Sequence, residues 1–133
     1  MGNRIVVNGL HDTPTLQLAK VGMHELTCLG NSFFEAGETS NARMLLRLRG
    51  EGGPSFSATV WLPGDNDDEG QRVQAGQTMK TVCKLFDVQV AEDNSFDPDD
   101  FKDKKSSKKV RLYHGKNKQT EAPEVRVEWP VGL

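Results

Sequence analysis

The chain contains only two cysteines and no long apolar run. Cys28 and Cys83 lie far apart and without metal-ligand spacing, so two buried free thiols are expected, with a disulfide or a reactive thiol as the alternatives. The short apolar runs exclude a membrane-spanning helix. The opening segment, MGNRIVVNGL, also lacks the apolar core of a secretory signal. These absences predict a cytoplasmic protein that has no membrane partner.

Sequence patterns of enzyme active sites are equally scarce. The histidines, His11, His24 and His114, form no HxxxH or HxE pattern, and the cysteines form no CxxC pair. The chain has neither a GxxxxGK[S/T] phosphate loop nor a GxSxG nucleophile motif. We therefore expect no enzyme and no cofactor. Sequence leaves open only a two-metal nuclease site assembled from distant carboxylates.

Acidic residues concentrate in two segments, 63–70 and 90–100. The stretch 65–76 resembles a calcium-binding EF-hand loop, but Gly76 occupies the twelfth position, where such a loop needs a bidentate glutamate. A solvated acidic loop is therefore the expectation, and a weak divalent-ion site is the alternative.

Basic residues are distributed unevenly, although the net charge is only −2. Residues 102–118 hold eight of the 17 lysines and arginines and a single acid, Asp103, so this segment carries +7 and the remainder −9. Such an asymmetry concerns local electric fields and partners rather than the fold. Taken by itself, the segment is expected to be a solvated basic loop, and a binding site for an anionic partner is the alternative.

The spacing of apolar residues predicts a mainly β chain with one helix. Intervals of three and four residues from Val73 to Phe86 predict an amphipathic helix over 71–87. Alternation of apolar and polar residues predicts strands. The predicted strands cover 4–7, 22–29 with an extension over 31–34, 42–49, 55–63, 108–115 and 124–131.

The order of these elements indicates the fold class. Apart from the candidate over 4–7, which falls in the N-terminal region, five strands are predicted, with the helix between the third and the fourth. This is the order of the OB-fold, a small Greek-key β-barrel of antiparallel strands. We expect one all-β domain of this type over 1–133, with an N-terminal extension over 1–20. OB-folds bind nucleic acid on strands 2 and 3 and on the loops after strands 1 and 4. In this chain those regions are 42–49, 55–63, 30–41 and 114–123.

The predicted second strand, ARMLLRLR (42–49), places three arginines on one face, because successive side chains of a strand point to opposite sides. Proteins that bind single strands combine such positive charge with aromatic rings on which bases stack. The candidate stacking residues are Trp61, Tyr113, Phe33 and Phe34. The candidate phosphate-binding residues are Arg43, Arg47, Arg49, Lys108, Lys109, Arg111, Lys116 and Lys118.

Each candidate has an alternative role. The aromatic rings would otherwise pack in the core or at a sheet edge, and the basic side chains would be solvated surface charges. Phe33 and Phe34 are adjacent, so only one of them faces the core of an extended segment. Trp129 shares a face with Val125 and Val127 and is expected in the core.

Several segments also resemble a known protein family. They are VGMHELTCLGNSFFEAGETSNARMLLRLRG, the strand end WLP, the helix end KLFDVQV, FDPDDFKDKK and a basic penultimate strand. From about Lys20 to Val131 this layout is similar to a group of bacteriophage OB-fold proteins that bind single-stranded DNA and occur among replication and recombination genes.

The resemblance implies a protein that binds single-stranded DNA with little sequence preference and protects exposed strands during phage replication or recombination, in the cytoplasm of a bacterial host. RNA in place of DNA, a homodimer, and protein partners from replication or recombination are left open. The alternative is a β-rich phage structural protein, or an interaction protein such as an inhibitor of a host enzyme.

Overall fold

The computed structural model describes residues 3–12, 17–65 and 67–130, which form two antiparallel sheets and one α-helix. Helix α1 (Glu69–Leu85) separates the first four strands from the last two, and 3-10 helices cover Leu10–Asp12 and Pro98–Phe101. The strands are β1 (Gly22–His24), β2 (Thr27–Phe34), β3 (Arg43–Arg49), β4 (Ser55–Trp61), β5 (Val110–Lys116) and β6 (Pro123–Glu128). The prediction of a mainly β chain with one helix is confirmed.

The strands are divided between two hydrogen-bonded sheets, in the orders β2-β3-β4 and β1-β5-β6. The sequence predicted a single strand from residue 22 onward. Glu25 and Leu26 interrupt it, so that β1 pairs with β5 while β2 pairs with β3. One stretch of chain thereby contributes to both sheets.

The predicted strand over 4–7 is wrong. These residues have no regular structure, and Ile5 and Val6 are 89% and 85% exposed. β-Branched residues favour a strand only where a neighbouring strand supplies hydrogen bonds and packing, and no neighbouring strand pairs with this segment among the described residues. Residues 1–2 and 13–16 of the predicted extension, and residue 131 of the predicted last strand, lie outside the described residues.

The core lies between the sheets and α1. Met44, Leu46 and Leu48, the inward residues of β3, are fully buried, which confirms the alternation predicted for this strand. Burying one such side chain stabilises the fold by about 2–3 kcal/mol. Helix α1 and the segments around it contribute further buried side chains: Met79, Val82, Leu85, Phe86, Val88 and Phe101.

Helix α1 begins with a capping box, in which Asp68 and Gln71 each accept a hydrogen bond from the other's backbone N–H. Val73 was predicted on its apolar side but is 53% exposed. It precedes Val82 by nine residues, which is about two and a half helical turns, so the two side chains point in opposite directions. No residue of the first half of the helix, 69–77, is buried.

Both cysteines are buried and free, as the sequence predicts. Burial raises the pKa of the Cys83 thiol to about 11. Burial also raises the pKa of Cys28, while a hydrogen bond with the Gly30 backbone lowers it. At neutral pH both groups are thiols, which are weak nucleophiles and poor metal ligands.

His24 is held between two backbone groups beneath the β3–β4 turn. Its Nδ1 accepts a hydrogen bond from the Glu51 N–H at 3.1 Å, and its Nε2 donates to the Lys20 carbonyl at 2.8 Å. A Cβ at Gly50 would lie 2.7 Å from that Nδ1, closer than two such atoms pack. The imidazole therefore requires a glycine at position 50.

Replacing Gly50 with alanine is expected to lower the free energy of unfolding by about 1–3 kcal/mol, because His24 or the backbone must move. Urea denaturation measures the difference. Gly53→Ala is the matched control, since its new Cβ would meet only Ala19 at 3.7–3.8 Å, an ordinary contact. Equal unfolding midpoints for the two variants would show that His24 does not exclude a side chain at position 50.

Candidate nucleic-acid interface

The outward side of sheet β2-β3-β4 forms a continuous surface, which we call the arginine face. Directly paired residues of antiparallel strands project on the same side of a sheet, so the register assigns its members. They are Thr27, Gly30, Ser32 and Phe34 from β2, Arg43, Leu45, Arg47 and Arg49 from β3, and Ser55, Ser57, Thr59 and Trp61 from β4. The face contains no acidic residue, and small side chains surround the arginines.

An irregularity in β2 determines which phenylalanine reaches this face. The register with β3 shifts between Cys28 and Gly30, so that Leu29 is an extra residue. Regular alternation from inward Cys28 through Leu29 would turn Phe33 outward. Because of the register shift, Phe34 instead pairs with Arg43 on the outward side. Phe33 pairs with Met44 on the inward side, at the strand end, where it is 45% exposed.

Phe34, Arg43 and Trp61 form a row across the three strands. Phe34 and Trp61 are the two cross-strand partners of Arg43. The Arg43 guanidinium carbon lies 4.6 Å from the centroid of the Phe34 ring and 5.7 Å from that of Trp61, within the range of cation–π attraction. The rings remain 42% and 48% exposed. This row therefore offers aromatic surface and positive charge together.

The other arginines occupy the neighbouring rows. Arg47 lies between Gly30 and Ser57, and its guanidinium donates to the Ser55 hydroxyl at 3.3 Å. Arg49 lies between Thr27 and Ser55. Both arginines are exposed, and neither belongs to an ion pair among the described residues. Their charges are available to an anionic ligand.

Lys105 joins the same face, although the sequence indicated only the basic segment around it. It forms an antiparallel bridge with Thr27, which continues the Arg49 row beyond the edge of β2. Backbone hydrogen bonds from Cys28 to Lys104 and from Ser106 to Leu26 hold the segment along that edge. No sequence pattern indicates this pairing, because the two segments are nearly 80 residues apart.

Two of the predicted basic residues, Arg111 in β5 and Lys109 just before it, belong to the region of the other sheet and have acidic partners. Arg111 pairs with Glu128 at 2.7 Å, and Lys109 with Glu51 at 3.6 Å. The Arg111 guanidinium also lies over the Tyr113 ring, 5.6 Å from its centroid. The outward side of β5 thus resembles a solvated surface with paired charges, whereas the arginine face has unpaired ones.

The remaining candidates are dispersed. Lys108 precedes β5, Lys116 ends it on the side opposite Tyr113, and Lys118 lies in the turn that follows; all three are exposed. Trp129 packs partly buried against the core, as expected from its alternation with Val125 and Val127.

The acidic loop after β4 uses its carboxylates within the fold. Asp67 accepts hydrogen bonds from the Asn41 side chain at 2.8 Å and from the Gly64 N–H at 3.2 Å, while Asp68 caps α1. Asn66 lies outside the described residues. Among the described residues, the acidic loop included, no three side chains of His, Cys, Asp or Glu converge on a possible metal site. Of the two acids Asp67 and Asp68, only Asp67 holds a ligand position of the calcium-loop pattern, the third.

Comparison with known proteins adds no family assignment to this geometry. Within residues 3–12, 17–65 and 67–130, no helix has the length and apolar character needed to cross a bilayer. No protein-family model matches the chain, and no curated protein matches it. The function must therefore be inferred from the arginine face and the sequence motifs.

Proposed function

We propose that this chain binds single-stranded DNA, with little sequence preference, through the arginine face. The observation that carries the proposal is the combination of four cations, Arg43, Arg47, Arg49 and Lys105, with two exposed rings on a surface that has no acid. The cations would neutralise phosphates, and the rings of Phe34 and Trp61 would stack on bases. Stacking tolerates any sequence, since every base has a π-face.

A protein–protein contact is less well supported by the same surface. Arginine and aromatic residues are enriched at protein interfaces as well. What favours nucleic acid is the row of three unpaired arginines along the middle strand, because successive phosphates of one strand would neutralise them. A duplex fits less well than a single strand, because its bases are already stacked on each other and hide their faces from Phe34 and Trp61.

We further infer that the two sheets form an OB-type barrel. Its first strand would be the interrupted stretch β1–β2, which pairs with a different sheet at each end. Strands β4 and β6 also contact each other, next to where the sheets would join, and α1 follows the third strand of the barrel. In an OB-fold, strands 2 and 3 bind nucleic acid. They correspond to β3 and β4, which carry most of the arginine face.

In the setting that the resemblance to phage proteins implies, the chain would cover exposed strands during replication or recombination in the bacterial cytoplasm. This role needs binding and release but no bond cleavage, so the chain is proposed as a binding protein without catalytic activity. RNA shares phosphates and base faces with DNA and would occupy the same surface.

Salt dependence tests the proposed function. Four neutralised phosphates predict that log K falls with log salt concentration with a slope of about −3, from about −0.7 for each phosphate. Between about 50 and 200 mM salt the affinity should then fall about fiftyfold. Fluorescence anisotropy with a labelled oligothymidine measures this slope, and a matching duplex is the control. Absence of binding at low salt would overturn the proposal.

A further inference from the structure

The arginine face ends beside a cleft of about 440 Å³, which lies between β4, α1 and Trp129, the residue directly after β6. We call it the tryptophan cleft, because the only two tryptophans of the chain line it. Its volume lies within the roughly 300–1,000 Å³ that is usual for small-molecule sites. The lining residues that matter here are Thr59, Trp61, Gln74, Ala75, Thr78 and Trp129.

One side of helix α1 forms a wall of this cleft. Gln71, Gln74, Ala75 and Thr78 follow one another at helical intervals and all line it. Gln71 and Gln74 are exposed, and Ala75 and Thr78 are partly buried. This side of the helix therefore gives the cleft small residues below and side chains that can form hydrogen bonds at its opening.

Most polar side chains around the cleft already have partners. Gln71 belongs to the capping box, Asn41 bonds to Asp67, and the Thr78 hydroxyl donates to the Gln74 carbonyl. These bonds fix the shape of the walls. The side-chain amide of Gln74 and the hydroxyl of Thr59 make no hydrogen bond among those of the described residues. They are free to bind a ligand.

We propose that the tryptophan cleft receives one nucleobase of the bound strand, adenine in preference to the others. This inference rests on the proposed function, because Trp61 belongs both to the arginine face and to the cleft, so a strand lying along the face reaches the opening. The two indoles provide surfaces for stacking. An amide offers a donor and an acceptor side by side, the pattern that adenine's N7 and amino group complement.

The cleft would thus add selectivity at a single position to a surface that is otherwise indifferent to sequence. The stacking row Phe34–Arg43–Trp61 holds any base, whereas the Gln74 amide distinguishes the edge of the base beside it. The predicted consequence is a preference confined to one position of the strand.

The test places one adenine at successive positions of an oligothymidine and measures the affinity of each strand by anisotropy. At one position the adenine should strengthen binding about fivefold, the equivalent of one added hydrogen bond of about 1 kcal/mol. Gln74→Ala should abolish that gain. Gln77→Ala is the matched control: it is exposed on the same helix, does not line the cleft, and should leave the gain unchanged.

The outcomes separate the two proposals. If strands bind and binding weakens in Arg47→Ala, but adenine has no effect at any position, the cleft proposal is overturned and the proposed function stands. If the adenine preference is the same in Gln74→Ala as in Gln77→Ala, Gln74 does not read the base, and the assignment is wrong. If no strand binds at low salt, both proposals fail.

Discussion

Replacing Trp61 with alanine is expected to weaken single-strand binding by about fivefold to 150-fold, the loss of one base–aromatic stack of about 1–3 kcal/mol. The folded state should tolerate the change, because the side chain is 48% exposed and lies at the last position of β4. Fluorescence anisotropy with oligothymidine measures the effect, and circular dichroism confirms that the variant is folded.

Tyr113→Ala is the matched control for this prediction. Tyr113 is also an aromatic residue on the outward side of a strand beside an arginine, but Arg111, its neighbour, is paired with Glu128 in the other sheet. The control should bind within about twofold of the wild type, since no stack on the arginine face is lost. Equal losses in the two variants would contradict the assignment of binding to the arginine face alone.

Removing two cations from the middle strand should have the other large effect. Arg47→Ala combined with Arg49→Ala is expected to weaken binding about a hundredfold, or about 1.4 kcal/mol for each lost phosphate contact. The salt slope should also become shallower by about 1.4, because two fewer counterions are displaced. Both changes follow from the exposed, unpaired state of these guanidinium groups.

The corresponding control removes two cations that already have acidic partners. Lys109→Ala combined with Arg111→Ala changes the net charge by the same amount but releases Glu51 and Glu128. We expect a loss of only a few-fold from the weaker overall field, with the salt slope nearly unchanged. If this variant lost as much affinity as the first, net charge rather than the arginine face would govern binding.

Alternation of residue types was enough to predict the inner and outer sides of β3. The inward leucines and methionine are buried and the arginines point outward, because the two-residue period of a strand is a local property. The same period predicts Trp61 on the polar side of β4, and the observed pairing of Trp61 with Arg43 confirms this side. This part of the candidate site could be obtained from sequence.

Features that depend on distant parts of the chain were not predictable in this way. The extra residue Leu29 reverses the alternation in β2 and turns Phe34 outward, and the only local sign of it is Gly30, since a glycine within a strand often marks a bulge. Lys105 reaches the face only through its bridge to Thr27. Arg111 is paired because the register of β5 with β6 places Glu128 opposite it. Strand pairing determines each of these outcomes.

The division of the predicted first strand has the same origin. Residues 22–34 are extended almost throughout, as the sequence indicates, but β1 and β2 belong to different sheets because their partners differ. Segment 4–7 is rich in β-branched residues but does not form a strand, since no described strand pairs with it. Sequence period thus predicts extended backbone well, whereas partners decide which extended segments become strands.

The measurement that tests the central claim most directly is a chemical-shift map of the backbone amides during titration with oligothymidine. The proposal predicts that the shifts concentrate in β2, β3 and β4, with the bridging residue Lys105 and the indole signal of Trp61 among the largest. Shifts concentrated in β5 and β6, or none at low salt, would contradict the claim that the arginine face binds single strands.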